Sequence, residues 1–468
     1  INMWKDSFTQ AVFGKPLGKS DKASPFVVGL SAFMVPFVLF MIPISQFVPL
    51  LFAVAIGEDG RNPYSDDTSF TATMRTISAI FACVSLFCTA IACPFAGSVA
   101  DMFGRKKVMF YGILAYLFFS FMQTLICWLE PGYGPMSVNG GFNYYWMFAA
   151  RVLAGIASAF FVAPGFAFVQ ENSNAKAGCP KGQAKRLSMH AIETAVVGLC
   201  FGGILAVDKN NDVRGASLGD SLVWATTFTF VGAIVWFLVT PDKYGIRLAQ
   251  QKNRPAFVSP VKTWMEHTVK KSYIADLCVV DFLALGSGLA LFLAVYSRFR
   301  LQFSTIDWTA LYIFGGIAAV GILVTVWVGS AIVNRYRAMQ EYKNRYIFTT
   351  ITFGVGMLML AQLTLLMGSL ASLAIPIVAV ILNCVGLGLT LPFTSMLLAH
   401  HRASHHGIIN GARAMSTACA LGAGAFFAGE GTSIIYMVGL GGMVAFHSAI
   451  FTVKAHGKFI PNSLGKLD

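Results

Sequence analysis

The residues best able to do chemistry in this chain are ionisable side chains set inside long uncharged stretches. Asp281 stands in "LCVVDFLALG", Arg151 in "FAARVLAG" and Arg413 in "NGARAMS", with Arg75, His190, Glu193, Asp276 and His447 in similar settings. A charge in an apolar run needs a partner or a water-filled cavity, because burying it unpaired is costly. A carboxylate there can bind and release a proton. An arginine can hold an anionic group or neutralise that carboxylate. Two readings of Asp281 follow: a proton-binding group, or half of a fixed ion pair with Arg151 or another cation. His190 and Glu193, three positions apart, share a helix face, where they share a proton, serve a gate or form an ordinary bond. Arg413 is expected to pair across the two halves of the chain or to bind an anion. Asp276 and Arg75 are near enough to run ends to snorkel, and His447 is expected to be packed and hydrogen-bonded.

A second chemical feature is "GSVADMFGRKK", residues 97–107, with two glycines, an aspartate and three consecutive cations. The glycines permit a tight turn and close helix approach, while Asp101 and Arg105 can make charge-assisted bonds at helix ends. A topology signal alone explains the cations, but neither Asp101 nor the glycine spacing.

The elements that must position these groups are membrane helices. Of 468 residues, 56% are hydrophobic and 12% charged, and the mean hydropathy is +0.66. A bilayer core about 30 Å thick takes roughly 20 apolar residues per helix. Twelve spans are predicted, at 26–56, 76–96, 108–129, 144–170, 187–207, 222–241, 272–296, 308–333, 346–368, 370–398, 407–428 and 434–453. Strand alternation is absent, which argues against a β-barrel. Asp281, tenth in span 7, stands about 14 Å along its helix, towards mid-membrane. The first span is too long and too far from the start to be a cleavable signal peptide. The start at Ile1 leaves room for native residues before it.

Of 34 Lys and Arg, 26 fall on the side that carries both termini and 5 in the opposite loops. Positive charge collects on the cytoplasmic side, so both termini are placed there and the basic excess implies no nucleic acid. Eight of nine cysteines lie in apolar runs and Cys179 sits alone in a polar loop, so neither a disulfide framework nor a metal spacing is present. No Asn-x-Ser/Thr acceptor occurs, which favours a bacterial inner membrane.

The longest polar interval, "DKYGIRLAQQKNRPAFVSPVKTWMEHTVKK" at 242–271, divides the chain into six-span bundles at 26–241 and 272–453, flanked by cytoplasmic segments 1–25 and 454–468. Within it, 261–271 is either a basic amphipathic helix on the anionic leaflet or a solvated linker. Repetition links the halves: Gly329–Ser330 follows Gly97–Ser98 by 232 positions, and Pro392 follows Pro164 by 228. "HHRASHH" at 400–406 is expected to be a solvated connector.

With this organisation, "GSVADMFGRKK" resembles the signature of the major facilitator superfamily in the loop between spans 2 and 3, matched by Gly97, Asp101, Gly104, Arg105 and Lys106. The resemblance implies an all-α membrane protein of twelve transmembrane helices in two pseudo-symmetric six-helix bundles. It also implies that the motif latches a cytoplasmic gate in the outward-open state. A drifted second copy, "NRYRAMQEYKNR", leaves Arg335 and Arg337 as weaker counterparts. Arg151 and Gly155 resemble the family's span 4 pattern, implying a role for Arg151 in proton or substrate coupling; pairing with a helix carbonyl is the structural alternative. Glu171, at the end of span 4, is expected to serve as a cytoplasmic partner for Arg105, a structural role. "GLCFGG" at 198–203 is similar to the family's antiporter motif, with Leu199 replacing proline; Gly198 and Gly202 otherwise serve helix packing.

The expectation is therefore a proton-coupled secondary transporter of a small organic solute, with Asp281, Glu193 and Arg151 in proton coupling. Gln46, Arg75, Arg151, Asn383 and Arg413 are the substrate-binding candidates, among aromatics such as Trp146 and Tyr296. Both signs of charge with aromatic walls suit a zwitterionic or amphipathic solute better than a bare inorganic ion. A proton-driven drug or metabolite exporter and a non-transporting assembly factor or receptor are the alternatives. No nucleotide loop, nucleophile motif or metal cluster points to an enzyme. No cofactor is implied; the partners are solute, protons and the lipid bilayer, and the protein is expected to be a monomer.

Overall fold

The computed structural model describes residues 68–129, 141–173, 256–269, 273–302, 343–367, 374–397, 403–427 and 433–464, with Val231 and Leu248. These form helices α1 (Thr68–Phe103), α2 (Arg105–Leu129), α3 (Gly141–Ser173), α4 (Pro260–Val269), α5 (Tyr273–Gln302), α6 (Lys343–Met367), α7 (Ala374–Leu397), α8 (Ala403–Phe427) and α9 (Ser433–Leu464). Long apolar helices are what lipid demands, because each backbone polar group must be satisfied within its own segment. Six of the described helices are long and apolar enough to cross a membrane. Expected spans 2, 3, 4, 7, 9, 10, 11 and 12 fall on α1, α2, α3, α5, α6, α7, α8 and α9; spans 1, 5 and 8, and span 6 apart from Val231, lie outside the described residues.

Several helices outrun the apolar runs that announced them. Hydropathy marks only the stretch inside lipid, whereas a helix continues until its backbone is diverted. α1 continues through Gly97 and Asp101 to Phe103, so most of the motif expected as a loop is helical. The turn is Gly104 alone, at φ 102°, a left-handed conformation that a residue with a Cβ rarely adopts. α2 begins at the next residue. α9 runs eleven residues beyond its expected end at 453, and Lys454 and Lys458 there bind Asp276 in the first turn of α5.

α3 packs on α1 and α2. After the linker, α5 packs against α9, α8 and α7, and α6 against α7 and α9. A buried cluster on the side where the termini were placed joins Leu277, Phe348, Ile351, Phe393 and Ile409; a second joins Leu291, Leu365, Val380 and Val438 farther along the same helices. The crossing of α1 and α8 unites the two halves of the sequence. There Ala100, Val108, Ala167 and Ala403 bring α1, α2, α3 and α8 to one buried point.

At that crossing a methyl group on Gly97 would collide with the Ala403 carbonyl, whereas one on Gly356 would meet open space. Gly97→Ala should therefore lower the thermal unfolding midpoint of the detergent-solubilised protein, at a cost of about 1–3 kcal/mol. Gly356→Ala should leave the midpoint unchanged or raise it slightly.

Candidate functional site

The first N–H groups of any α-helix lack partners within it and carry partial positive charge. At the start of α8 the partner comes from α1. Asp101 Oδ1 accepts the backbone N–H of Ala403 at 3.0 Å, and Oδ2 accepts that of Ser404 at 3.0 Å. Asp101 is thus a cap supplied by the other half of the chain. Arg105, one turn on across Gly104, approaches Asp101 at 3.5 Å and donates to the Ala167 carbonyl of α3 at 3.3 Å. Asp101, Arg105 and Lys106 are all buried, and Lys107 is exposed. Glu171 lies one turn beyond Ala167 on α3, with its side chain outside the described residues. Of the expected solvated connector 400–406, residues 403–406 form the start of α8, where His406 is buried, and residues 400–402 lie outside the described residues.

The second charged group lies deeper. Asp281 is fully buried on α5. Arg413 of α8 donates through Nε to Asp281 Oδ2 at 2.7 Å, with Nη2 also 2.7 Å from that oxygen. Thr394 of α7 donates to Asp281 Oδ1 at 2.7 Å, and Arg413 Nη2 reaches the Leu391 carbonyl at 2.8 Å. Three helices thus meet at one carboxylate. Arg413 thus pairs with Asp281 of its own half, because α8 carries it against α5 and α7.

Arg151 is buried on α3 and donates to Gln123 Oε1 of α2 at 3.4 Å. The cation found beside Asp281 is Arg413, while this bond of Arg151 stays within α2 and α3. Gly155, a turn later, touches the Ser85 carbonyl of α1, and its own carbonyl accepts from Thr89 at 2.9 Å and Ser158 at 2.8 Å. The arginine and glycine of that pattern therefore have separate surroundings.

Asn383 is buried on α7 and donates to the Gly288 carbonyl of α5 at 3.0 Å. Beyond it Gln362 donates to the Ser287 carbonyl at 2.8 Å, and Ser287 to that of Gly441 at 2.9 Å. Asp276 does not snorkel: its carboxylate is buried, 2.6 Å from Lys458 and 3.8 Å from Lys454. His447 Nδ1 lies 2.8 Å from the Met443 carbonyl, yet the ring is exposed rather than packed. Trp146 is exposed, and the side chains of Arg75 and Tyr296 lie outside the described set although their helices are within it. Gln46, His190, Glu193, Gly198, Gly202 and Arg335 lie outside the described residues.

Thr394, Gln123 and Gln362 are not among the residues that the sequence pointed to. Uncharged amides and a hydroxyl inside apolar runs were the available signal, since lipid penalises them unless they are bonded.

Removing one member of a buried pair strands the other, at a cost of about 3–5 kcal/mol. Arg413→Gln alone should therefore lower the unfolding midpoint more than Asp281→Asn/Arg413→Gln does. A double mutant at least as unstable as the single would show that the pair is not the reason for the loss.

Among curated proteins none matches the sequence significantly. Solved structures resemble it at low identity. A bacterial homologue of the iron transporter ferroportin, in an outward-facing state, is 16% identical with a TM-score of 0.62, covering 92% of this chain and 99% of its own. The human organic anion transporter MFSD10 (TETRAN) is 15% identical with a TM-score of 0.61, covering 93% and 99%. The proton:xylose symporter XylE, from E. coli, is 13% identical with a TM-score of 0.58, covering 93% and 96%. These likenesses establish the fold. The family model of the Major Facilitator Superfamily matches residues 26–427. With its signature capping a helix of the opposite half and its fold shared with known transporters, this integral membrane chain belongs to the Major Facilitator Superfamily.

Proposed function

We propose that the chain is a proton-coupled secondary transporter that moves a small organic solute by alternating access, residues 26–241 and 272–453 rocking about a central site. Its setting is a bacterial cytoplasmic membrane, with both termini in the cytoplasm as the loop charges indicate. The observation that carries the reading is that one helix, α8, bears both charged contacts. Its first turn is capped by Asp101, and about 15 Å further along it carries Arg413 against Asp281.

That arrangement suits coupling. While Asp281 is ionised, Arg413 and Thr394 tie α8 to α5 and α7. A proton delivered to Asp281 removes the negative charge that holds Arg413 and so loosens α8 from α5 and α7. Shifting α8 draws its N-terminus away from Asp101 and opens the cytoplasmic side. Arg105 and Lys106 keep the end of α1 in register with α2 and α3 during this change. The freed Arg413 is available to an anionic group of the solute, with Asn383 on the neighbouring helix as a polar contact. XylE, described as a proton:xylose symporter, supplies a precedent for proton-coupled movement of an organic solute on this fold.

The test is uptake into proteoliposomes with and without an imposed pH gradient, across amino acids, organic acids and cationic dyes. Gradient-dependent accumulation of one of these classes is expected. Accumulation that ignores the gradient rejects proton coupling; absence of flux for every solute favours a non-transporting relative. Asp281→Asn should abolish gradient-driven accumulation while retaining solute exchange. Normal accumulation by that variant would remove Asp281 from the coupling step.

For the gate, Asp101→Ala should shift α8 away from α1. Spin labels on the adjoining ends of the two helices should report a longer separation than in the parent protein. An unchanged separation would assign Asp101 to helix capping alone.

A further inference from the structure

The linker helix α4 presents three faces. Pro260 and Thr263 are buried and His267 half-buried, where α4 meets α8, α5 and α1. On the adjoining arc Val261, Trp264, Met265 and Val269 are between 43% and 74% exposed, with Phe257 just ahead of the helix at 48%. Lys262 and Glu266, also exposed, take the third face. An apolar arc of this extent on a ten-residue helix is poorly suited to water.

Chain continuity says what covers it. α5, a membrane-crossing helix, begins at Tyr273, four residues after Val269, so α4 cannot lie far from the bilayer surface. Charge points the same way: the interval 242–271 holds seven Lys and Arg against two Asp and Glu. A short helix with a tryptophan in its apolar arc and a lysine at its border suits an anionic lipid surface, where the lysine stem lies along the acyl boundary and its ammonium reaches the phosphates.

The face turned towards the protein meets the latch. The His267 ring packs edge-on to His405 at 4.6 Å, and His405 lies in the turn of α8 whose N–H groups Asp101 holds. We infer that α4 is an interfacial helix that seats its apolar arc in the anionic leaflet on the linker side of the membrane and braces the start of α8 against Asp101. This is independent of the cargo and of proton coupling; it requires only that the linker side face anionic lipid.

Tryptophan quenching tests the docking. Wild-type protein and Trp264→Phe are compared in nanodiscs of phosphatidylcholine, with and without phosphatidylglycerol, doped with lipid brominated near the top of the acyl chain. The difference between the two proteins should be quenched by bromolipid, shielded from iodide, and quenched more strongly with phosphatidylglycerol. Quenching by iodide alone would mean a solvated helix and overturn the proposal. Equal bromolipid quenching in the two lipid mixtures would overturn the anionic preference, and a cross-linked pair of chains through α4 would assign the arc to a second copy.

Hydrogen exchange tests the brace. Amides of 403–408 should exchange about fivefold more slowly with phosphatidylglycerol, a factor in keeping with the attraction of one lysine to an anionic surface. In Val261→Glu/Met265→Glu, which alters only exposed positions, that slowing should vanish while exchange in α5 to α7 stays unchanged. Equal exchange of 403–408 in both lipid mixtures would overturn the brace.

Discussion

The start of α8 depends on an acceptor that its own helix cannot supply. Two of its unpaired N–H groups are met by the carboxylate of Asp101, which is fixed in sequence some three hundred residues earlier. Much of the crossing follows from this contact. For the carboxylate to reach, α1 must run as helix past Asp101, as it does to Phe103, and α8 must come so close that Gly97 has no space for a side chain. Arg105 then turns back to the carboxylate and to the end of α3, so four helices are tied at one buried point. An ion pair between side chains would be less directional. Two N–H bonds to one carboxylate fix both the distance and the rotation of α8.

Deeper in the same helix the balance is different. Asp281 and Arg413 lie where water is scarce, and their attraction mainly offsets the cost of taking both out of water. Such a pair adds little net stability but responds strongly to the loss of either charge. Joined to the capped first turn by a continuous helix, it gives α8 two attachments of different kinds, one set by backbone geometry and one by side-chain charge. The linker helix adds contact at the first of these, beside His405.

Much of the fold was legible because lipid imposes a simple rule on sequence: runs of about 20 apolar residues form helices. That rule found the eight spans that coincide with described helices, and it placed Asp281, Arg151 and Arg413 inside them. It could not find the ends. Hydropathy fades at the membrane surface, whereas α1 continues to Phe103, where Gly104 makes the turn, and α9 continues to Leu464, with Lys454 and Lys458 bound to Asp276. The same rule placed the last four residues of "HHRASHH" in a connector, since polarity alone does not reveal that a cap can turn 403–406 into a helix start.

The sequence by itself determined the membrane class, the family signature and the identity of the groups that must not be left unpaired. Composition and spacing act locally, so they decide which segments are helices and which residues carry charge. Pairing was decided by tertiary structure alone. Asp281 has Arg413 beside it, and Asp101 binds the backbone of α8 as well as Arg105, because partners far apart in the chain are chosen by which helix faces meet, at what height and with how small a residue at the crossing.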